Sequence, residues 1–163
     1  FAYCEELKTV DVDEESPYYR MSNGGLYDRV AEALVLLPNI DGRYNIENGV
    51  QRIGNYAFAY HSDLESVDIP ASVHTVGYEA FLDCAKLVDV VWTNGLLSVE
   101  SSAFEGCVGL ASVDIPSTVS TIEDYAFSGC ENLKSVKLPD ALEALGEFAF
   151  RFFFCVFLCI CQF

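Results

Sequence analysis

The sequence predicts a repeat solenoid, mainly β, with short helical turns and one inserted β-hairpin. Three observations carry this. Ala-Phe recurs at Phe58, Phe81, Phe104, Phe127 and Phe150, and a leucine opens the next unit at Leu64, Leu87, Leu110 and Leu133, so one unit is 23 residues long. A fixed period of this size marks stacked supersecondary units rather than one central core. Within a unit, Leu64, Val67 and Ile69 are followed by Val73, Val76, Ala80 and Phe81, and the later units repeat that spacing. Spacing of this kind puts the first apolar residues on the inner side of a short strand, because alternate side chains face opposite ways. Finally, Pro70, Pro116 and Pro139 stand just beyond the first strand of their units, where a missing N–H ends the ladder.

The first residues, Phe1, Cys4, Leu7, Val10 and Val12, match the end of one unit and the opening strand of the next. The chain is therefore expected to be a fragment of a longer array, with about six turns in hand. The period then breaks: Leu7 to the equivalent Asp41 is a step of 34 residues instead of 23. Two apolar runs, Gly24 to Tyr27 and Ala33 to Pro38, flank Asp28 to Glu32 and predict a hairpin excursion over residues 16–40 or so. Regular units resume at Tyr44 and Ile46 and run to Phe150, giving a solenoid over residues 1–151. No single turn can cover its own apolar side, so stability has to come from stacking. The tail, residues 152–163, is uncharged and strongly apolar. It is shorter than the roughly 20 residues a bilayer span needs. Three readings stand for it: a truncated or misread gene end, a strand or helix covering the open end of the solenoid, or the start of a membrane anchor.

The unit Leu-x-x-Val-x-Ile-Pro-x-x-Val-x-x-Ile/Val-Gly-x-x-Ala-Phe-x-x-Cys, fullest in Leu64 to Cys84, resembles the BspA-like leucine-rich repeat. The excursion also resembles that family's inter-repeat hairpin, in the order Gly-x-Leu-Tyr, Leu-Leu-Pro and Tyr-x-Ile. The resemblance covers residues 1 to about 151. It implies a right-handed, mainly β leucine-rich-repeat coil of secreted or cell-surface proteins, serving adhesion and protein binding. The sequence departs from the pattern at Trp92-Thr93, where Ile-Pro is expected, at His61, where Cys is expected, and throughout after Arg151.

Charge narrows the partners. With 25 acidic against 9 basic residues the formal charge is -16, which repels nucleic acid and anionic membrane surfaces. Cys4, Cys84, Cys107 and Cys130 fall once per turn and form a row, unlike the clustered ligands of a metal site. Buried thiols suit such a row, while turns about 4.8 Å apart leave a disulfide between neighbours geometrically open. No Cys or Ser near His61 or His74 stands in a motif that would make a nucleophile and base, and both read as loop or convex-surface residues. Asp11, Asp13, Glu14 and Glu15 read as a solvated acidic turn, since the glycine and distal glutamate of a calcium loop are missing. Neither a phosphate-binding glycine loop nor a Ser-His-Asp arrangement can be placed. No cofactor and no catalysis are therefore expected.

The remaining candidate is the outer face of the opening strands, expected to line the concave side. The residues before each buried apolar position are Thr9, Arg43, Ser66, Asp89, Ser112 and Ser135, and those after it are Asp11, Asn45, Asp68, Val91, Asp114 and Lys137. Stacked by turn, they predict an acidic and hydroxylated stripe interrupted by Val88 and Val91. Asp11, Asp68, Asp89, Val91, Asp114 and Lys137 are the candidate contacts for a protein ligand, such as an extracellular-matrix or host-cell surface protein. The alternative is an ordinary solvated sheet face in a structural spacer.

Overall fold

The computed structural model describes residues 7–38 and 42–151. Phe1, Cys4, Asp41 and the tail 152–163, on which part of the sequence reading rests, lie outside the described residues. The expected opening strand through Val10 and Val12 is irregular. Regular structure begins with β1 (Tyr19–Ser22), β2 (Gly25–Asp28) and β3 (Ala33–Leu36). Five turns follow, each with a first and a second strand: β4 (Gly42–Asn45) and β5 (Arg52–Ile53), β6 (Leu64–Ile69) and β7 (Thr75–Val76), β8 (Asp89–Trp92) and β9 (Ser98–Val99), β10 (Ser112–Asp114) and β11 (Thr121–Ile122), β12 (Ser135–Lys137) and β13 (Ala144–Leu145).

The second strands pair in parallel into one sheet of order β1-β2-β3-β5-β7-β9-β11-β13. Their register steps by the repeat, with Ile53, Val76, Val99, Ile122 and Leu145 in one row. The first strands form two separate sheets, β4-β6-β8 and β10-β12. Between the sheets runs a core of stacked rows: Leu64, Leu87, Leu110 and Leu133; Val73, Leu96 and Val119; Ala57, Ala80, Ala103 and Ala126, all buried. The Phe row is the most regular. Rings of Phe58, Phe81, Phe104, Phe127 and Phe150 stack with centroids 4.6, 4.8, 5.1 and 5.3 Å apart.

The expected short helical turns are a correction: among the described residues there is no helix, and the segments around Ala-Phe are turns. Each such segment carries a left-handed residue, at Tyr56, Glu79, Ser102, Tyr125 and Phe148, and a second one four residues later at Tyr60, Asp83, Gly106 and Gly129. A left-handed residue breaks the helical run. It also lets N–H groups alternate in direction. Tyr56, Phe58 and Tyr60 donate across to the carbonyls of Tyr78, Ala80 and Leu82 in the next turn, while Ala57, Ala59 and His61 donate locally to Gly54, Tyr56 and Phe58. The segment is thus a third hydrogen-bonded side of the coil, and its backbone donors are satisfied without a helix.

The excursion contains the expected hairpin, with an added strand. β1 and β2 turn at Asn23-Gly24, both at positive φ, as a two-residue hairpin of Asn-Gly type requires. β2 pairs antiparallel with β3, and β3 then pairs in parallel with β5. The excursion is therefore spliced into the solenoid as the end of the second-strand sheet. Tyr27 and Tyr44 share a buried hydroxyl contact of 2.7 Å, and burial raises both phenols above their ordinary range. Arg20 lies 4.4 Å over the Tyr27 ring and pairs with Glu47 at 2.8 Å. These contacts pin the excursion to the first regular turn.

Candidate binding face

The thiol row is held by backbone. Cys84, Cys107 and Cys130 donate Sγ–H to the carbonyls of Phe58, Phe81 and Phe104 at 3.0, 3.1 and 3.2 Å. All three are buried and free, and no metal-holding group occurs among the described residues. His61 stands in the same row. Its Nε2 meets the Leu37 carbonyl, and Leu37 occupies the Phe position of the spliced turn, its N–H bonded to Ala57 as Phe58 is to Ala80. His61 is thus half-buried and ordered by the core, whereas His74 is exposed. Burial raises the Cys107 thiol and pushes Cys130 up to about 12. Native protein treated with iodoacetamide is expected to leave peptides bearing Cys84, Cys107 and Cys130 unlabelled, with full labelling in guanidinium. The sign for stability follows: the Cys130 contribution is present below its ordinary value of 9.0 and is lost as pH rises toward about 12. Native-state labelling at neutral pH would show that the row is open.

Much of the acidic charge is engaged on the other sides of the coil. Glu100 accepts the Tyr78 N–H, Glu123 the Ser101 N–H and Asp124 the Glu147 N–H, at 3.0, 3.0 and 2.7 Å. Arg52 pairs with Glu100 at 2.7 Å across two turns, and this bond holds the Glu100 carboxyl below its usual range. A shallow, open depression lies there, lined by Thr121, Ile122, Glu123, Asp124 and Leu145 among others. Its two carboxylates are already committed to backbone donors.

The first-strand face places most of the candidate contacts in register. Arg43, Ser66 and Asp89 form one row, and Asn45, Asp68 and Val91 another. On the second sheet Ser112 faces Ser135 and Asp114 faces Lys137. Asp11 lies on the irregular segment instead, exposed and outside both sheets. The rows are less acidic than their sequence suggests. The Arg43 guanidinium nitrogen lies 2.7 and 2.9 Å from the two Asp68 oxygens, and Lys137 is 3.5 Å from Asp114. Asp89 is the stripe carboxylate left without a cation among the described residues. Arg43 is the partner that reading one unit at a time overlooks, since it meets a residue 25 positions away. Both valines beside Asp89, Val88 and Val91, are exposed.

These rows are the repeated first strands of a known family. The sequence model of the BspA type leucine rich repeat region matches residues 44–157 in six copies. The chain belongs to the BspA-type leucine-rich repeat family. Among solved structures, this BspA-type chain is similar to a leucine rich cell surface protein from Faecalibacterium prausnitzii, with 35% identity and a TM-score of 0.79 over 84% of this chain and 38% of that one. It shares its fold with the pneumococcal vaccine antigen PcpA, at 22% identity and a TM-score of 0.72 over 85% of this chain and 40% of that one. A Treponema pallidum leucine rich repeat protein has the same fold at 21% identity and a TM-score of 0.53, over 78% of this chain and 82% of that one. The BspA-type repeats here thus span about two fifths of each of the first two proteins. Among proteins of curated function none matches. No helix among the described residues is long and apolar enough to cross a membrane.

Proposed function

We propose that this BspA-type segment is a non-catalytic protein-binding module, in an adhesive protein that is secreted or held on a cell surface, and that it binds through the concave side. The observation that carries the reading is the register of the first strands, which stacks Ser66 on Asp89, Asp68 on Val91, and Asp114 on Lys137. Exposed side chains repeated at the spacing of neighbouring strands suit multipoint contact with an extended protein ligand, as on other solenoids. The cell-surface relative from Faecalibacterium prausnitzii supports the location.

A spacer role is the second reading. It is favoured by the internal neutralisation of Asp68 by Arg43 and of Asp114 by Lys137, which a solvated face would also show. Capture from extracellular-matrix and host-cell surface extracts separates the two, with the parent chain beside a variant carrying Asp68→Lys, Asp89→Lys and Asp114→Lys. Binding predicts a protein captured by the parent and at least about ten-fold depleted with the variant, a loss within reach of a few contact residues. Equal capture, or none, supports the spacer.

A further inference from the structure

The first-strand ladder is interrupted once, between β8 and β10, which belong to separate sheets. The interruption has a local cause. Where the units on either side carry Ile69-Pro70 and Ile115-Pro116, this turn carries Trp92-Thr93. Thr93 gives both its N–H and its hydroxyl to the Ile69 carbonyl, at 3.3 and 3.2 Å, so the end of β8 is tied back to the preceding turn. At the places equivalent to Trp92, Ile46 and Ile115 donate forward, to Asp68 and Lys137, whereas the places equivalent to Thr93 in the flanking units hold Pro70 and Pro116, which have no N–H to give in either direction. The indole of Trp92 meets Phe104 edge-on at 5.5 Å, a larger body than the isoleucine it replaces. The facing edges of β8 and β10 are therefore not committed to each other.

The side chains around this opening differ from those of every other described turn. Val88 is 58% and Val91 40% exposed, where the matching positions hold Glu65, Ala111 and Lys134, and Asp68, Asp114 and Lys137. Between the two valines stands Asp89, whose neighbours on the stripe are neutralised from within by Arg43 and Lys137. Attraction for a cation and an apolar surface thus coincide at one place. A free carboxylate discriminates by charge, and apolar contact beside it adds affinity as water is displaced.

We propose that the opening between β8 and β10 seats an extended segment of a protein partner that carries lysine or arginine flanked by apolar side chains. This rests on the protein-binding reading above and narrows it to one register and one chemistry. The single tryptophan of the chain, Trp92, is a built-in reporter.

The test titrates the full chain, labelled with nitrogen-15, with a short peptide of alternating valine and lysine. Peptides of alternating serine and lysine, and of valine and glutamate, serve as comparisons. The expected result is a saturable shift of the amides of Val88 to Trp92 and of Ser112 to Asp114, with a change in Trp92 emission. Binding is expected to weaken at least about ten-fold, equivalent to about 1.4 kcal/mol, for Asp89→Asn, for Val88→Ser with Val91→Ser, and for the serine-lysine peptide. Shifts confined to other first-strand residues, such as Arg43 or Ser135, would overturn this site while leaving the binding face standing. Equal binding of the serine-lysine peptide would reduce the attraction to bulk charge and overturn the apolar part. Shifts away from the first strands, or none, would count against both.

Discussion

Replacing Phe104 with alanine is expected to cost about 3–5 kcal/mol, the range for deleting a buried Phe side chain. Unfolding in urea should show this as a lower midpoint. Phe104 is fully buried and is sandwiched between Phe81 and Phe127, with interplanar angles of 4° and 3°. Its ring also lies 5.5 Å from that of Trp92, at 72° between planes. A truncation here removes ring contacts on three sides, and no neighbouring turn can slide to refill the space without breaking its own ladders. Because repeats are stabilised through nearest neighbours, the loss should uncouple the turns on either side and broaden the transition. Phe150 has a described ring partner on one side, Phe127, and is half-buried; its alanine variant should cost clearly less. A midpoint for Phe104→Ala matching that of Phe150→Ala would mean that the ring column contributes little beyond area.

Gly95→Ala is expected to be nearly as severe, at roughly 3 kcal/mol or more, through a backbone conformation only glycine adopts easily plus a clash that cannot relax. A Cβ at Gly95 would lie 2.0 Å from the Ala71 carbonyl oxygen of the preceding turn, on a backbone with φ of +153°. The obstacle is main chain, so one turn would have to lift from the other. Gly49 provides the control: its φ is +92°, yet nothing lies within 4 Å of a Cβ there. Gly49→Ala should cost only about 1 kcal/mol. Trp92, three residues from Gly95, reports on the displacement, and unchanged emission and midpoint in Gly95→Ala would refute the clash.

The strands, the core rows and the site of the excursion were legible in the sequence because each depends on alternation and period alone. Val67, Val76 and Phe81 recur a unit later in the same roles, and the pattern names their side of the coil before any contact is known. The third hydrogen-bonded side was not legible. Its first left-handed positions hold Tyr56, Glu79, Ser102, Tyr125 and Phe148, and glycine stands at the second position only in Gly106 and Gly129, so no regular glycine or asparagine announces such a backbone. The added strand β1 was not legible because Gly24 and Gly25 read as the near limit of the hairpin rather than as part of a turn into an earlier strand. On the candidate face, the rows could be written down from the period, but the pairing of Arg43 with Asp68 and of Lys137 with Asp114 depends on side-chain reach between turns. That pairing, rather than the raw acid count, sets the charge a partner would meet. The break at β8 was visible only as a departure from Ile-Pro at Trp92-Thr93; which neighbouring turn Thr93 would bond was not.

The third hydrogen-bonded side has a mechanical consequence. With two ladders running from turn to turn and the first-strand ladder broken only between β8 and β10, the cross-turn bonds point along the coil, so a pull on the two ends loads the bonds of one turn before those of the next. A turn occupies about 4.8 Å of the axis, whereas its 23 residues, peeled off and extended, reach roughly 76–83 Å. Each surrendered turn would therefore pay out about sixteen times its own height in slack, which makes the array a graded shock absorber as well as a surface.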